Sequence, residues 1–162
     1  ELSFADNAAA DDINWLVELV MSVRSVRSEM NVPASAKTNL ALIGSDEDTT
    51  RLARHEAAIK RLARVEELSV VNEPPASSAQ VLLGTATLCL PLEGVIDLAA
   101  ERARLQKDLD KAAKEIMGLE KKLSNQGFLA KAPAEVVEEQ RTRLEDNHAR
   151  VKKLNESLAF IS

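Results

Sequence analysis

The sequence predicts an α+β fold carrying a long helical extension: an N-terminal helix, a small α+β unit in the order strand-helix-strand-strand-strand, then a long antiparallel two-helix coiled-coil hairpin. Three observations predict it. The 162 residues are 45% hydrophobic, yet they include only three Phe, one Trp and no Tyr. The β-branched runs and a Pro-Pro step are confined to residues 1–96. Residues 97–162 are mostly Lys, Glu, Arg, Leu and Ala, with apolar positions repeating every 3.5 residues, the pattern of long helix or coiled coil. The divisions implied are 1–33, 34–96 and 97–162.

Residues 11–30 read as a helix. Asp11 and Asp12 suit the positive end of its dipole, and Asn31-Val32-Pro33 stops it. Its apolar residues, among them Ile13, Trp15, Val17, Leu19, Met21 and Val23, cover most of its circumference. A helix apolar nearly all round is covered on more than one side. The expectation is therefore a fragment whose first helix has lost neighbours.

Thr38–Ile43 alternates and ends at Gly44, a strand; Ser45-Asp46-Glu47-Asp48 then offers a cap and an acidic first turn. Leu52, Ala53, Ile59, Leu62, Ala63 and Val65 follow at helical spacing. Residues 68–71 form a short strand stopped by Pro74-Pro75. Residues 81–83 and 87–90 form a hairpin around Gly84, closed by Pro91 and Gly94. One helix covering one face of this sheet is expected.

From Leu98 the apolar positions are 98, 105, 109, 112, 116, 119 and 123, and from Val137 the same 4-3 repeat runs to Ile161, with Gln140 and Asn147 as polar members. A link of about nine residues favours antiparallel neighbours. Pairing Ile116 with Leu144 and Leu109 with Val151 sets Glu115 opposite Arg143, Asp108 opposite Arg150, Glu120 opposite Arg141 and Ala112 opposite Asn147. Opposite charges on the flanks specify alignment while the Leu and Ile seam supplies stability. A two-helix seam is one side-chain layer thick, which accounts for the scarcity of aromatics.

Composition also excludes functions. A single cysteine, Cys89, allows no disulfide framework and no Cys-rich zinc site, and two distant histidines, His55 and His148, make a local metal cluster unexpected. Both histidines read as surface residues, and Cys89 as a buried small hydrophobe in a strand. No uncharged apolar run is long enough for a membrane span, and no secretory leader is visible, so a soluble cytoplasmic chain is expected. No nucleophile, acid–base pair or metal constellation points to catalysis, and no cofactor is expected.

The formal charge of −5 argues against nucleic acid until it is divided. Residues 1–96 hold 8 basic and 14 acidic side chains (8 − 14 = −6); residues 97–162 hold 13 and 12 (13 − 12 = +1). Within the second part, Lys107, Lys114 and Lys121 fall on the outermost heptad position, with Arg104 and Lys111 beside them. Five cations thus share a stripe facing away from the partner helix. A solvated face explains such a stripe in many coiled coils; here the acids sit mainly elsewhere, and segregated cations on a rod can follow a phosphate backbone.

The turn reads Leu123-Ser124-Asn125-Gln126-Gly127-Phe128-Leu129-Ala130-Lys131-Ala132-Pro133, then Glu135-Val136-Val137. It resembles the hairpin turn of the C-terminal coiled coil of bacterial valyl-tRNA synthetases. Upstream, Val23-Arg24-Ser25-Val26-Arg27-Ser28-Glu29-Met30-Asn31-Val32-Pro33 resembles the last helix of that family's anticodon-binding bundle, and Leu88 to Leu92 with Glu93-Gly94, leading into Asp97-Leu98, matches its lead-in to the coiled coil.

The resemblance covers about residues 11–160. It implies a class I aminoacyl-tRNA synthetase that joins valine to its tRNA with ATP. The family's HIGH-type and KMSKS-type signatures are absent, as are the editing domain and most of the anticodon bundle. The chain alone is therefore not expected to aminoacylate or to bind ATP.

The same resemblance implies valine-accepting tRNA as partner, met at its outer corner by the coiled coil. The RNA-contacting candidates are Arg104, Lys107, Lys111, Lys114, Lys121, Lys131, Arg24 and Arg27. Lys131 stands apart from the other turn residues because its charge serves no packing. Pro133 suits the first turn of the second long helix, Gly127 a positive φ, and Phe128 packing across the helix ends. The competing function is a coiled-coil structural or oligomerisation module that pairs with another protein. A monomer is expected, with a weak dimer through the first helix as the variant form.

Overall fold

The computed structural model describes residues 4–162. The chain folds as two compact units, one of residues up to 101 together with Ile161, the other of residues 102–160 with Ser162.

In the first unit, α1 spans Phe4–Glu29, β1 Thr38–Ile43, α2 Asp46–Arg54, α3 Glu56–Leu62, β2 Val65–Val70, β3 Ser78–Leu83 and β4 Ala86–Pro91. The sheet order is β2-β1-β4-β3. β1 and β2 are parallel, as two strands joined through helices can be, and the β1–β4 and β3–β4 pairs are antiparallel. Leu40 and Leu42 of β1, Leu88 of β4 and Ile59 of α3 are fully buried, so the core lies between the sheet and the helices.

α1 starts earlier than expected because Ala8-Ala9-Ala10 extends its helical run. It ends in a Schellman motif: Asn31 takes φ 58°, Asn31 N donates to Ser28 O at 3.2 Å and Val32 N to Arg27 O at 2.9 Å. One face, carrying Leu19, Val23 and Val26, is buried. The opposite side leaves Ile13, Val17 and Met21 exposed by 52%, 47% and 65%.

α2 begins with a capping box. Asp48 N donates to Ser45 Oγ, and the Asp48 carboxylate accepts from Ser45 N at 3.0 Å. Gly44 is needed there, since a Cβ would lie 2.9 Å from Asp48 Oδ2. The single helix expected over 46–65 is two, separated at His55. Val65, read as helical, opens β2, because Arg64 takes φ 53° and turns the chain.

Helix α4 (Leu98–Leu123) begins in the last residues of the first unit and continues in the second, where it is followed by a short helix, α5 (Gln126–Lys131), and then α6 (Ala134–Phe160). Leu105, Ala112 and Leu119 of α4 are buried, as are Val137, Gln140 and Asn147 of α6, in step with the 4-3 repeat. Of the flank pairs expected, Glu115–Arg143 is present at 2.7 Å. The others differ. Asp108 pairs with Arg104 one turn back at 3.3 Å, Arg141 with Glu138 at 3.8 Å, and Glu120 faces His148 at 3.9 Å. A partner one turn away on the same helix is in reach without crossing the seam, so sequence-opposite charges need not meet. Asn147 donates to Arg143 O at 2.9 Å within its own helix.

The turn holds a further correction. Gly127 lies inside α5, and among the described glycines only Gly84 and Gly94 take positive φ. Asn125 caps α5, its side chain accepting from Gly127 N and Phe128 N. Pro133 sits just ahead of α6, its carbonyl accepting from Val136 N at 3.0 Å. Phe128 is half-buried, with Lys122 Nζ 5.1 Å from its ring centroid.

Candidate nucleic-acid interface

α4 presents its cations as the heptad pattern requires. The buried positions fix one face, and the opposite face carries Lys107, Lys111, Lys114 and Lys121, all exposed. Among the described residues none of these four has an ion-pair partner. Arg104, half-buried, holds Asp108 and is thereby partly neutralised. A shallow groove on this face is lined by Arg104, Lys107, Asp108, Asp110, Lys111 and Lys114. Asp110 accepts from Gln106 at 3.0 Å, so both acids of the groove are engaged along the helix.

One acid of α4, Glu115, is turned the other way. Glu115 takes a hydrogen bond from Arg143, which holds its carboxyl below the ordinary carboxylate range, with Asn147 and Arg150 acting in the same sense. Glu115 therefore serves the α4–α6 contact rather than pairing with the outer lysines. Lysines seven residues apart on a helix repeat about every 10 Å, and Lys107 to Lys121 extends over about 21 Å. Ammonium groups spread along such a length can neutralise several phosphates of a nucleic-acid strand, though not each one in succession. Lys131 is exposed in the last turn of α5, at the tip of the second unit, near an open apolar depression formed by Phe128, Ala132, Pro133 and Val136.

The two N-terminal candidates stand elsewhere and differ from each other. Arg24 is exposed and its Nε donates to Leu62 O at 3.0 Å. Arg27 is buried at 7% exposure, and its Nη2 donates to Pro33 O at 3.1 Å and Ala36 O at 2.6 Å. Burial first, and then the charge of Arg64, hold the Arg27 guanidinium below its ordinary pKa. Arg27 thus clamps the loop between α1 and β1.

Two features escaped the sequence. His55, expected on the surface, is half-buried, with its Nε2 2.5 Å from Asp12 Oδ2. Arg54 at 2.8 Å and Arg51 at 3.3 Å complete a cluster about the Asp12 carboxylate. Asp12 is therefore the tie between α1 and the α2–α3 junction; its placement at the helix start is corrected because α1 begins eight residues earlier. Arg64 is the second feature: its repeat of the Arg-Leu-Ala-Arg pattern at 51–54 was a visible signal, whereas its left-handed backbone was not. Cys89 is fully buried in β4, and the absence of solvent pushes its thiol pKa up. Among the described residues no helix is long and apolar enough to cross a membrane, and no group of His, Cys, Asp and Glu is placed to hold a metal ion.

Comparison with known proteins adds to this geometry. Residues 97–162 match the family described as Valyl tRNA synthetase tRNA binding arm. Curated relatives are named valine–tRNA ligase. The chain is 56% identical over 142 residues to that of Mesorhizobium japonicum, covering 87% of this chain and 15% of the relative. It is 55% identical to that of Brucella suis biovar 1, covering 89% and 16%. It is 45% identical to that of Agrobacterium fabrum, covering 100% and 17%. The chain thus spans about one sixth of the length of the curated relatives it matches.

Proposed function

Because the chain resembles the C-terminal region of bacterial valyl-tRNA synthetases throughout, and residues 97–162 match their tRNA binding arm, we propose that it is the tRNA-binding appendage of a valine–tRNA ligase. In this reading α4 and α6 form an antiparallel coiled-coil hairpin whose outer face lies along the tRNA elbow. Joining valine to tRNA with ATP belongs to the catalytic region of a class I enzyme, which this chain does not include. The appendage itself needs no cofactor and contributes affinity and orientation. The partner is valine-accepting tRNA in the cytoplasm, and residues 1–33, 34–96 and 97–162 serve as the end of the anticodon-binding bundle, a linking α+β domain and the arm.

The observation that carries the reading is the set of four exposed lysines, Lys107, Lys111, Lys114 and Lys121, left without acidic partners on one face of α4. Contacts to backbone phosphates carry no sequence information, which suits a surface that positions the tRNA body. Arg104 flanks this face and Lys131 extends the positive surface to the tip. Arg24 has its guanidinium edge available to RNA, whereas Arg27 acts through the loop it clamps.

The test is a titration of tRNA against the chain and against a variant with Lys107, Lys111 and Lys114 changed to Glu. The variant is expected to lose binding at low salt while keeping its helical circular dichroism. Equal affinity of the two proteins refutes the lysine face.

A further inference from the structure

A second basic site lies in the first unit. A cavity beside the C-terminal end of α1 is lined by Arg24, Arg27, Ser28, Val32, Ala34, Leu62, Ala63 and Arg64, with no carboxylate among them. Three arginines therefore line one small space, Arg27 buried and Arg24 and Arg64 exposed at its edge. Arg27 is more than nine-tenths buried, and its Nη1 is buried without a hydrogen-bond partner. The loop clamp needs only Nη2 of Arg27. It accounts neither for Nη1 nor for the convergence of Arg24 and Arg64.

Placement of the three is built into the fold. Arg24 and Arg27 stand three residues apart on α1, hence on one face. Arg24 Nε is held by Leu62 O at 3.0 Å, which orients the rest of its guanidinium. Arg64 is fixed by its left-handed backbone at φ 53° and by its carbonyl, which accepts from Thr38 N at 3.1 Å. The positive charge of Arg64 acts unfavourably on the buried Arg27 guanidinium, and an anion with several acceptor oxygens offsets that cost. Planar guanidinium forks match a tetrahedral oxyanion better than lysines do.

We propose that this cavity binds a phosphate oxyanion, held by Arg24 and Arg64 under the charge of Arg27. Two sources share that chemistry: free inorganic phosphate and a phosphodiester of bound RNA. Only the second rests on the function proposed above.

The experiment follows the arginine Nε–H resonances of the full chain by NMR while inorganic phosphate is added, with chloride at matched ionic strength as control. Saturable shifts at Arg24 and Arg64 are expected with phosphate and not with chloride. Arg64→Gln, which keeps the same backbone demand, should weaken phosphate affinity about tenfold, and Arg64→Lys should weaken it less. Neither variant removes the clamp.

The same Arg64→Gln protein is then titrated with tRNA across salt concentrations. A salt slope lower by about one assigns the site to an RNA phosphodiester, and an unchanged slope with weakened phosphate binding assigns it to free phosphate. The triple lysine variant of α4 should leave the phosphate shifts intact, so the two sites fail separately. No saturable shift with phosphate, or shifts indifferent to Arg64→Gln, overturns the proposal.

Discussion

Arg27, a basic residue that the sequence offers as an RNA contact, has a structural task in the fold, and Arg27→Met isolates that task. Methionine keeps the length and apolar stem and removes the guanidinium. Two hydrogen bonds from a charged donor, to Pro33 O and Ala36 O, are lost. Each is worth about 1.5–3 kcal/mol. The gain in the opposite direction is relief of a buried charge and of an unbonded Nη1, of similar size to one such bond. The net expectation is a loss of about 2 kcal/mol. Urea unfolding followed by the fluorescence of the single tryptophan, Trp15, reads the first unit directly, because Trp15 is buried in it. Arg24→Gln, at an exposed position with one bond to Leu62 O, should stay within about 0.5 kcal/mol of the parent and serves as control. An Arg27→Met protein as stable as the parent would refute the clamp.

Three further outcomes are expected. Leu105→Ala, at 2% exposure on the buried side of α4, should cost the second unit about 3 kcal/mol, read as loss of helical signal at lower urea. Gly44→Ala should weaken the first turn of α2 by about 1–2 kcal/mol, because its Cβ meets the Asp48 carboxylate that closes the capping box. The Asp12 carboxyl lies below its ordinary pKa, chiefly through its hydrogen bond with His55 and then through Arg54, with partial burial opposing. A depressed folded pKa means stability fully present above the ordinary carboxylate range and lost as pH falls toward the folded value. The difference in urea midpoint between parent and Asp12→Asn should therefore shrink on acidification; a difference independent of pH contradicts the Asp12 tie.

Most of the fold was legible because its signals are local. The 3.5-residue repeat of 98–123 and 137–161, the Ser45–Asp48 capping box and the Gly84 turn each depend on residues close in sequence, and each produces the expected element. What was not legible depends on distant partners or on a single backbone angle. His55 looked like a surface residue because its partner, Asp12, is 43 positions away. β2 starts earlier than its sequence pattern suggests because Arg64 adopts a conformation usual for glycine or asparagine. The flank pairing in the second unit failed at Asp108 and Arg141 because alternatives one turn away compete for the same charges. The lysine face was readable since helical spacing alone fixes which side chains share a face. The arginine cavity was not, since Arg64 joins α1 only through the tertiary fold.

The claim that α4 carries tRNA through phosphate contacts is tested most directly by salt dependence. The affinity of the chain for tRNA is measured across salt concentrations beside a variant with Lys107, Lys111 and Lys114 changed to Gln. Loss of three phosphate contacts should flatten the slope of log affinity against log salt by about two to three. Equal slopes for the two proteins would contradict it.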